Sequence, residues 1–225
     1  MASGFPFPAV SLDVDGTLYD LAWMKIRVAL KMPFQLSFLS DFSSVRESLR
    51  ARGERVDDFR AAQRDLLAQR LGREPEQVGA RIETVVYERL PAVYGKAKPY
   101  PGLRAALEAL VDQGVRLAVC SDYPATEKLE GLGLADLPWA ALVIGEEVGA
   151  LKPHPASFEV LSERLGLPAE QILHVGDRVD CDVDGARAAG LEAALFAPGG
   201  SAEGGAKVVF SRWDRFSDQV RRAFA

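Results

Sequence analysis

The chain predicts an α/β fold: a doubly wound parallel-sheet core that carries a small all-helical domain. Three observations point there. From about residue 96 onward, short apolar runs alternate with segments of helical spacing, the pattern of a parallel sheet covered on both faces. From residue 18 to about 98 strand patterns are missing, and apolar residues recur at helical spacing instead. Polar residues directly follow the apolar runs, and in open parallel sheets ligands bind beyond the carboxyl ends of the strands.

The first run, Pro8-Ala9-Val10-Ser11-Leu12, reads as a buried strand ended by a turn at Gly16. Residues 21–31 read as a helix stopped by Pro33. Asp41 or Ser43 is expected to cap a second helix that runs to Arg52 and stops at Gly53. Asp57 or Asp58 caps a third, with Phe59, Ala62, Leu66, Leu67 and Leu71 on its stripe and Gly72 at its end. Pro75 suits the first turn of a fourth, continued by Val78, Ile82, Val85, Val86 and Leu90. The Pro/Gly stretch 96–102 returns the chain to the core. The expected domains are therefore a core of 1–19 with 96–225 and a helical cap of 20–95.

Within the core, helices are expected at 103–113, 126–132, 155–165 and through 186–189. Strands are expected at 115–120, 141–144, 172–175 and 193–196. Val208 to Phe210 would be a sixth strand, at an edge, before a terminal helix. Residues 198–205 form a Gly-rich loop without phosphate-loop spacing.

A formal charge of −5 and a pI near 5.2 argue against nucleic acid or an anionic membrane as the main partner. Two cysteines make no disulfide framework, and no stretch approaches the ~20 apolar residues of a membrane span. The first residues lack the features of a secretion signal. A reduced, cytoplasmic protein is expected, as a monomer or homodimer. Residues 43–90 hold ten Arg against nine acidic residues, which reads as solvated helix faces with ion pairs. The sharper alternative is that Arg46 or Arg50 reaches a substrate.

Asp13 and Asp15 stand at the carboxyl end of the first strand. Alone they read equally as an Asp/Gly turn. If Asp13 faces a crevice, it can act as nucleophile or metal ligand. Asp15 can come round to the same side, with its carbonyl facing a cation. Ser121-Asp122 follows the second core strand, where a hydroxyl and backbone N–H groups can hold an anionic oxygen. An ordinary turn or cap uses the same residues. Lys152-Pro153-His154-Pro155 follows the third. The prolines restrict how Lys152 is presented, so it can neutralise Asp13 and a phosphate together. The plainer reading is a surface lysine, and His154 reads as a loop residue. Asp177, Asp180, Asp182 and Asp184 follow the fourth. Four carboxylates in eight residues suit Mg²⁺ or Ca²⁺, against the alternative of a solvated acidic turn. Asp180, Asp182, Asp184 and Gly185 imitate an EF-hand start, but its closing Glu would fall on Leu191. Cys181 is expected to be a passive thiol with only Arg178 beside it.

Together, Asp13-Val14-Asp15-Gly16-Thr17, Ser121, Lys152-Pro153, and Gly176-Asp177 with Asp182 resemble the haloacid dehalogenase superfamily, in its phosphatase-like branch with a helical cap after the first motif. The resemblance implies a Rossmann-like core. It implies that Asp13 attacks phosphorus, that Asp15 is the acid/base, and that Ser121 and Lys152 hold phosphoryl oxygens. It further implies Mg²⁺ at Asp13, the Asp15 carbonyl and Asp177, with Asp182 as ligand or outer acceptor. Gly16, Thr17 and Asp122 would meet the phosphate. The dehalogenases carry an aromatic residue where Asp15 stands, and the phosphonate hydrolases a small one plus a cap lysine; no lysine lies between Lys31 and Lys96. A Mg²⁺-dependent phosphatase of a small phosphorylated metabolite is expected. A sugar-phosphate mutase and an idle phosphate- or metal-binding module are the alternatives. Asp122 departs from the family pattern, where Asn is common, and adds a carboxylate beside the phosphate position.

Overall fold

The computed structural model describes residues 4–200 and 205–225; the first three residues and the middle of the Gly-rich loop at 198–205 lie outside the described residues. Six strands form one parallel sheet in the order β3-β2-β1-β4-β5-β6. They are β1 (Ala9–Leu12), β2 (Arg116–Ser121), β3 (Trp139–Ile144), β4 (Ile172–Gly176), β5 (Glu192–Phe196) and β6 (Val208–Phe210). β1 is central and wholly buried. Leu12 pairs with Val119 on one side and Val175 on the other. The chain builds outward from β1 through β2 to β3, then returns to β4 on the opposite side. That reversal opens a crevice beyond the ends of β1 and β4.

Period-two alternation sends side chains to both faces. Val10, Leu12, Val119 and Val175 pack with α6 (Leu103–Val111) and α11 (Phe216–Ala223). Ala9, Ala118, Cys120 and Ile172 pack with α9 (Ala156–Leu165) and α10 (Asp184–Ala188). Burying both faces explains why these strands read as continuous apolar runs.

Between β1 and β2 lie α1 (Leu21–Lys31), α2 (Leu36–Arg52), α3 (Phe59–Leu71), α4 (Pro75–Ile82) and α5 (Leu90–Tyr94). α2, α3 and α4 share their own apolar cluster, with Phe38, Phe42, Leu67 and Ile82 among its buried members. Leu90 and Val93 of α5 pack against it and Leu151 joins from the core, whereas Met24 of α1 packs into the core cluster. Asp58 caps α3 by accepting the Ala61 N–H at 2.9 Å. Neither Asp41 nor Ser43 caps α2. A 3₁₀ turn at Pro33–Gln35 leads straight into that helix, so both lie inside it, and Asp41 instead pairs with Arg70 of α3 at 2.8 Å. The expected fourth helix is interrupted by a π-helical stretch, Glu83–Arg89, just ahead of Pro91. Proline cannot donate to the preceding turn, and a wider turn accommodates it. A short helix not read from sequence, α8 (Gly145–Val148), follows β3.

Both cysteines are unpaired and buried. Among the described residues no helix is long and apolar enough to cross a membrane.

Candidate active site

Asp13 directly follows β1, and its backbone N–H donates to the Val175 carbonyl of β4 at 2.9 Å. Its side chain is therefore aimed from the crevice floor. Lys152, only 2% exposed, donates to Asp13 Oδ1 at 2.7 Å and to Asp182 Oδ1 at 2.5 Å. The Thr17 hydroxyl donates to Asp13 Oδ2 at 3.3 Å. Asp182 Oδ2 accepts the Arg178 N–H at 3.0 Å, and its Oδ1 lies 3.3 Å from His174 Nε2. His174 Nδ1 lies 3.0 Å from Ser11 Oγ. Burial lowers the His174 pKa, so the ring is neutral. A neutral ring facing a carboxylate at Nε2 carries its proton there and accepts from Ser11 at Nδ1.

Bare backbone makes room for this density of carboxylates. A Cβ on Gly16, at φ 100°, would lie 2.2 Å from Asp177 Oδ2, and one on Gly176 would lie 2.1 Å from Asp182 Cγ. Asp13, Asp177 and Asp182 each offer an oxygen, all within 4.8 Å of one another. Two carboxylates contact the Lys152 ammonium and a third lies beside them, so negative charge is in excess. Burial pushes the Asp13 carboxyl up to about 8 against the pull of Lys152, with Asp182 and Asp177 adding to the rise. Burial and Asp182 push Asp177 up to about 6. Burial alone would raise Asp182 as well, but Lys152 and His174 outweigh it and hold it below the usual carboxylate range. Asp177 Oδ1 is buried without a hydrogen-bond partner. An orphaned oxygen beside two further carboxylates suits a hard divalent cation.

The other sequence candidates divide. The Asp15 carboxylate is not in the cluster of three; it accepts from the Tyr19 hydroxyl and from Lys128 Nζ at 2.7 Å. Ser121 is buried, and its Oγ accepts the Tyr123 N–H at 3.3 Å. Asp122 Oδ1 accepts the Lys152 N–H at 2.9 Å, and its Oδ2 accepts from Arg50 at 2.8 Å. The extra carboxylate is thus matched by a cap arginine. Asp180 and Asp184 are exposed, because a π-helical turn at Val179–Val183 sends them outward; Asp180 pairs with Arg178 at 2.6 Å. The acidic run therefore supplies two facing carboxylates, not four. Arg50, as well as Arg178, approaches Cys181, at 3.4 Å, yet burial leads and the thiol is pushed up to about 12. His154 accepts the Ala156 N–H at the start of α9, a loop role.

The reading of the cap arginines as solvated fails at two positions. Arg46 is buried. It donates to Glu146 of α8, to Gln63 Oε1 at 2.9 Å and to the Asp122 carbonyl at 2.9 Å. Its guanidinium lies 3.7 Å from the Tyr123 ring centroid. Tyr87 adds a hydroxyl donor to Glu146 at 3.0 Å. Arg50 also donates to the Lys152 carbonyl. His174, Lys128 and Glu146 are the site's neighbours that sequence reasoning did not place there, whereas Arg46 and Arg50 enter it only as the sharper alternative. A cavity of about 700 Å³ lies between cap and core, floored by Asp13, Asp122, Lys152, Asp177 and Asp182. Gly16 faces a neighbouring cavity on the other side of Asp177.

A family model for haloacid dehalogenase-like hydrolases matches residues 7–190. A glyceraldehyde 3-phosphate phosphatase of Methanopyrus kandleri is 34% identical over 192 residues, 81% of each chain. A phosphoglycolate phosphatase of Rhodospirillum rubrum is 38% identical over 146 residues, 62% of this chain and 60% of the relative. Among solved structures, a 2-haloacid dehalogenase from Pseudomonas syringae superposes with a TM-score of 0.71 at 22% identity, covering 96% of this chain and 99% of that one. A HAD phosphatase from Thermococcus onnurineus does so with 0.64 at 22%, covering 93% and 96%. Likeness at that identity speaks for the fold, whereas the family model and the phosphatase relatives speak for descent: the chain belongs to the haloacid dehalogenase-like hydrolases, in their phosphatase branch.

Proposed function

We propose that the protein hydrolyses a small phosphorylated metabolite through an aspartyl-phosphate, with Mg²⁺ as cofactor. The observation that carries this is Lys152 held between Asp13 and Asp182, with Asp177 and its orphaned oxygen within reach. Asp13 Oδ attacks phosphorus while the bond to the leaving oxygen breaks, and Asp15 gives that oxygen its proton. Asp15 then takes a proton from the water that opens the acyl phosphate, which frees Asp13 and inorganic phosphate. Tyr19 and Lys128 orient Asp15 through Oδ1, and Oδ2, once Lys128 yields it, is the oxygen that carries the proton. Lys152 draws the phosphoryl oxygens toward Asp13 and offsets the repulsion between two anions. Asp182, anchored by His174 and the Arg178 N–H, positions Lys152. Asp13, Asp177 and the Asp15 carbonyl would hold Mg²⁺, which when bound supplies positive charge to the transferring phosphoryl group. Residues 20–95 would act as the cap over the core of 1–19 and 96–225. The names of the phosphatase relatives support a small phosphorylated substrate.

Turnover of p-nitrophenyl phosphate with and without Mg²⁺ tests this reading. Asp13→Asn should lower kcat at least about 10³-fold with an unchanged circular-dichroism spectrum. EDTA should abolish turnover by the unsubstituted protein. An Asp13→Asn variant that keeps its rate sinks the mechanism.

A further inference from the structure

The floor of the cavity is polar, and the wall opposite carries an apolar stretch. Leu21 and Val28 of α1, Leu39 and Phe42 of α2, Val86 of the π-helical stretch and Leu90 of α5 line it. One of these and one neighbour stand outside the protein's own apolar clusters. Val28 belongs to none of the apolar clusters of the described residues, and neither does Leu36, which lines the same wall and is 42% exposed. The cap has a separate core to hold it together, around Phe38, Leu49, Leu67 and Ile82. Phe42 and Val86 also belong to that core, so the apolar wall residues left partly open to the cavity are Leu21, Leu36, Leu39 and Leu90. Apolar side chains left partly open to a ligand cavity favour an apolar ligand group.

Nor is the volume that of a cap swung open. Arg46 is buried against Glu146, Arg50 meets Asp122, Arg55 donates to the Val148 carbonyl at 2.9 Å, and the Val56 N–H donates to the Gly149 carbonyl at 2.9 Å. These contacts fasten α2 and the start of the next loop onto the core. With the cap fastened, about 700 Å³ remains. That lies in the range of pockets that enclose drug-sized molecules. A two- or three-carbon phosphate ester fills only its floor. Lys25, Ser40, Ser43, Glu47, Arg60 and Tyr87 interrupt the apolar stretch, and all but Tyr87 are exposed.

We propose that the alcohol released by this phosphatase carries an apolar body, aliphatic or aryl, that packs against α1, α2 and α5 while its phosphate meets Asp13 and Lys152. The inference rests on the phosphatase reading above and narrows its substrate class. The experiment is a kcat/KM series on n-alkyl phosphates from ethyl to octyl, with phosphoglycolate alongside, in Mg²⁺. The value should climb about 2- to 4-fold per added methylene over the first several carbons. Leu36→Asp, at a half-exposed position, should cut the octyl-to-ethyl ratio at least about 5-fold, and Leu39→Asn provides a second variant for the same ratio. A series that is flat or falls with length, or a preference for phosphoglycolate over octyl phosphate, overturns the inference and leaves the phosphatase reading standing. A folded protein that turns over no phosphomonoester at all overturns both.

Discussion

Two clusters of buried charge sit within one molecule, one at the sheet end and one between cap and core. At the sheet end, Lys152 is surrounded by Asp13, Asp182 and the nearby Asp177, so negative charge exceeds positive and one carboxylate oxygen has no partner. Between cap and core, Arg46 meets Glu146, and Gln63, Tyr87 and the Asp122 carbonyl supply further hydrogen bonds. Arg60 adds a cation 3.6 Å from Glu146, and Gln63 Nε2 is left without a partner. The first cluster is unbalanced and has capacity left for a ligand. The second is balanced in charge, and what it leaves unpaired is the neutral amide Nε2 of Gln63. An unbalanced buried cluster is costly unless something binds it, whereas a balanced one serves to hold two surfaces in register.

The contrast is broken most severely at Lys152. Lys152→Met removes the ammonium that touches both Asp13 and Asp182. It should lower kcat/KM about 10³-fold, because the phosphate then approaches uncompensated carboxylates. The same change in the cap should act on stability instead. Arg46→Met strands Glu146 in a buried site, and urea denaturation should show a loss of about 3–5 kcal/mol. The double variant Arg46→Met/Glu146→Leu should regain most of it. A loss below about 1 kcal/mol in the single variant would mean that the pair is solvated after all.

Much of the sheet could be read from the chain, because each strand is a short apolar run closed by a turn, and both faces of each strand are buried. The residues just past those strands, Asp13, Asp122 and Asp177, are legible for the same reason: a strand end has a known position; Lys152 stands further on, past α8. What sits on helices was not. Arg50 reaches Asp122 across 72 residues, and Lys128 reaches Asp15 across 113. Helical spacing reveals a face but not what that face meets. The start of α2 was misplaced because the turn at Pro33–Gln35 carries no capping side chain. The run from Asp177 to Asp184 looked like one cation site because sequence cannot show a π-helical turn dividing it. His174 left a faint signal: a single polar ring in the apolar strand Ile172-Leu173-His174-Val175, two residues before the glycine that Asp182 packs on.

The smallest effect is expected where the two clusters touch, at Arg50 and Asp122. Arg50 comes from the cap, Asp122 from the end of β2, and Asp122 Oδ1 also accepts the Lys152 backbone N–H. Removing the guanidinium in Arg50→Ala leaves a carboxylate without its cation at the edge of the phosphate position. Repulsion of an incoming phosphate should raise KM about 10-fold, with kcat changed far less, because Asp122 lies beside the reacting groups and not among them. Asp122→Asn keeps an oxygen for the Lys152 N–H and discards the charge. The double variant Arg50→Ala/Asp122→Asn should therefore recover most of the lost affinity, which separates charge from packing. Equal KM values for the single and double variants would show that Arg50 acts by contacting the substrate directly, and the ion pair would then be incidental to binding.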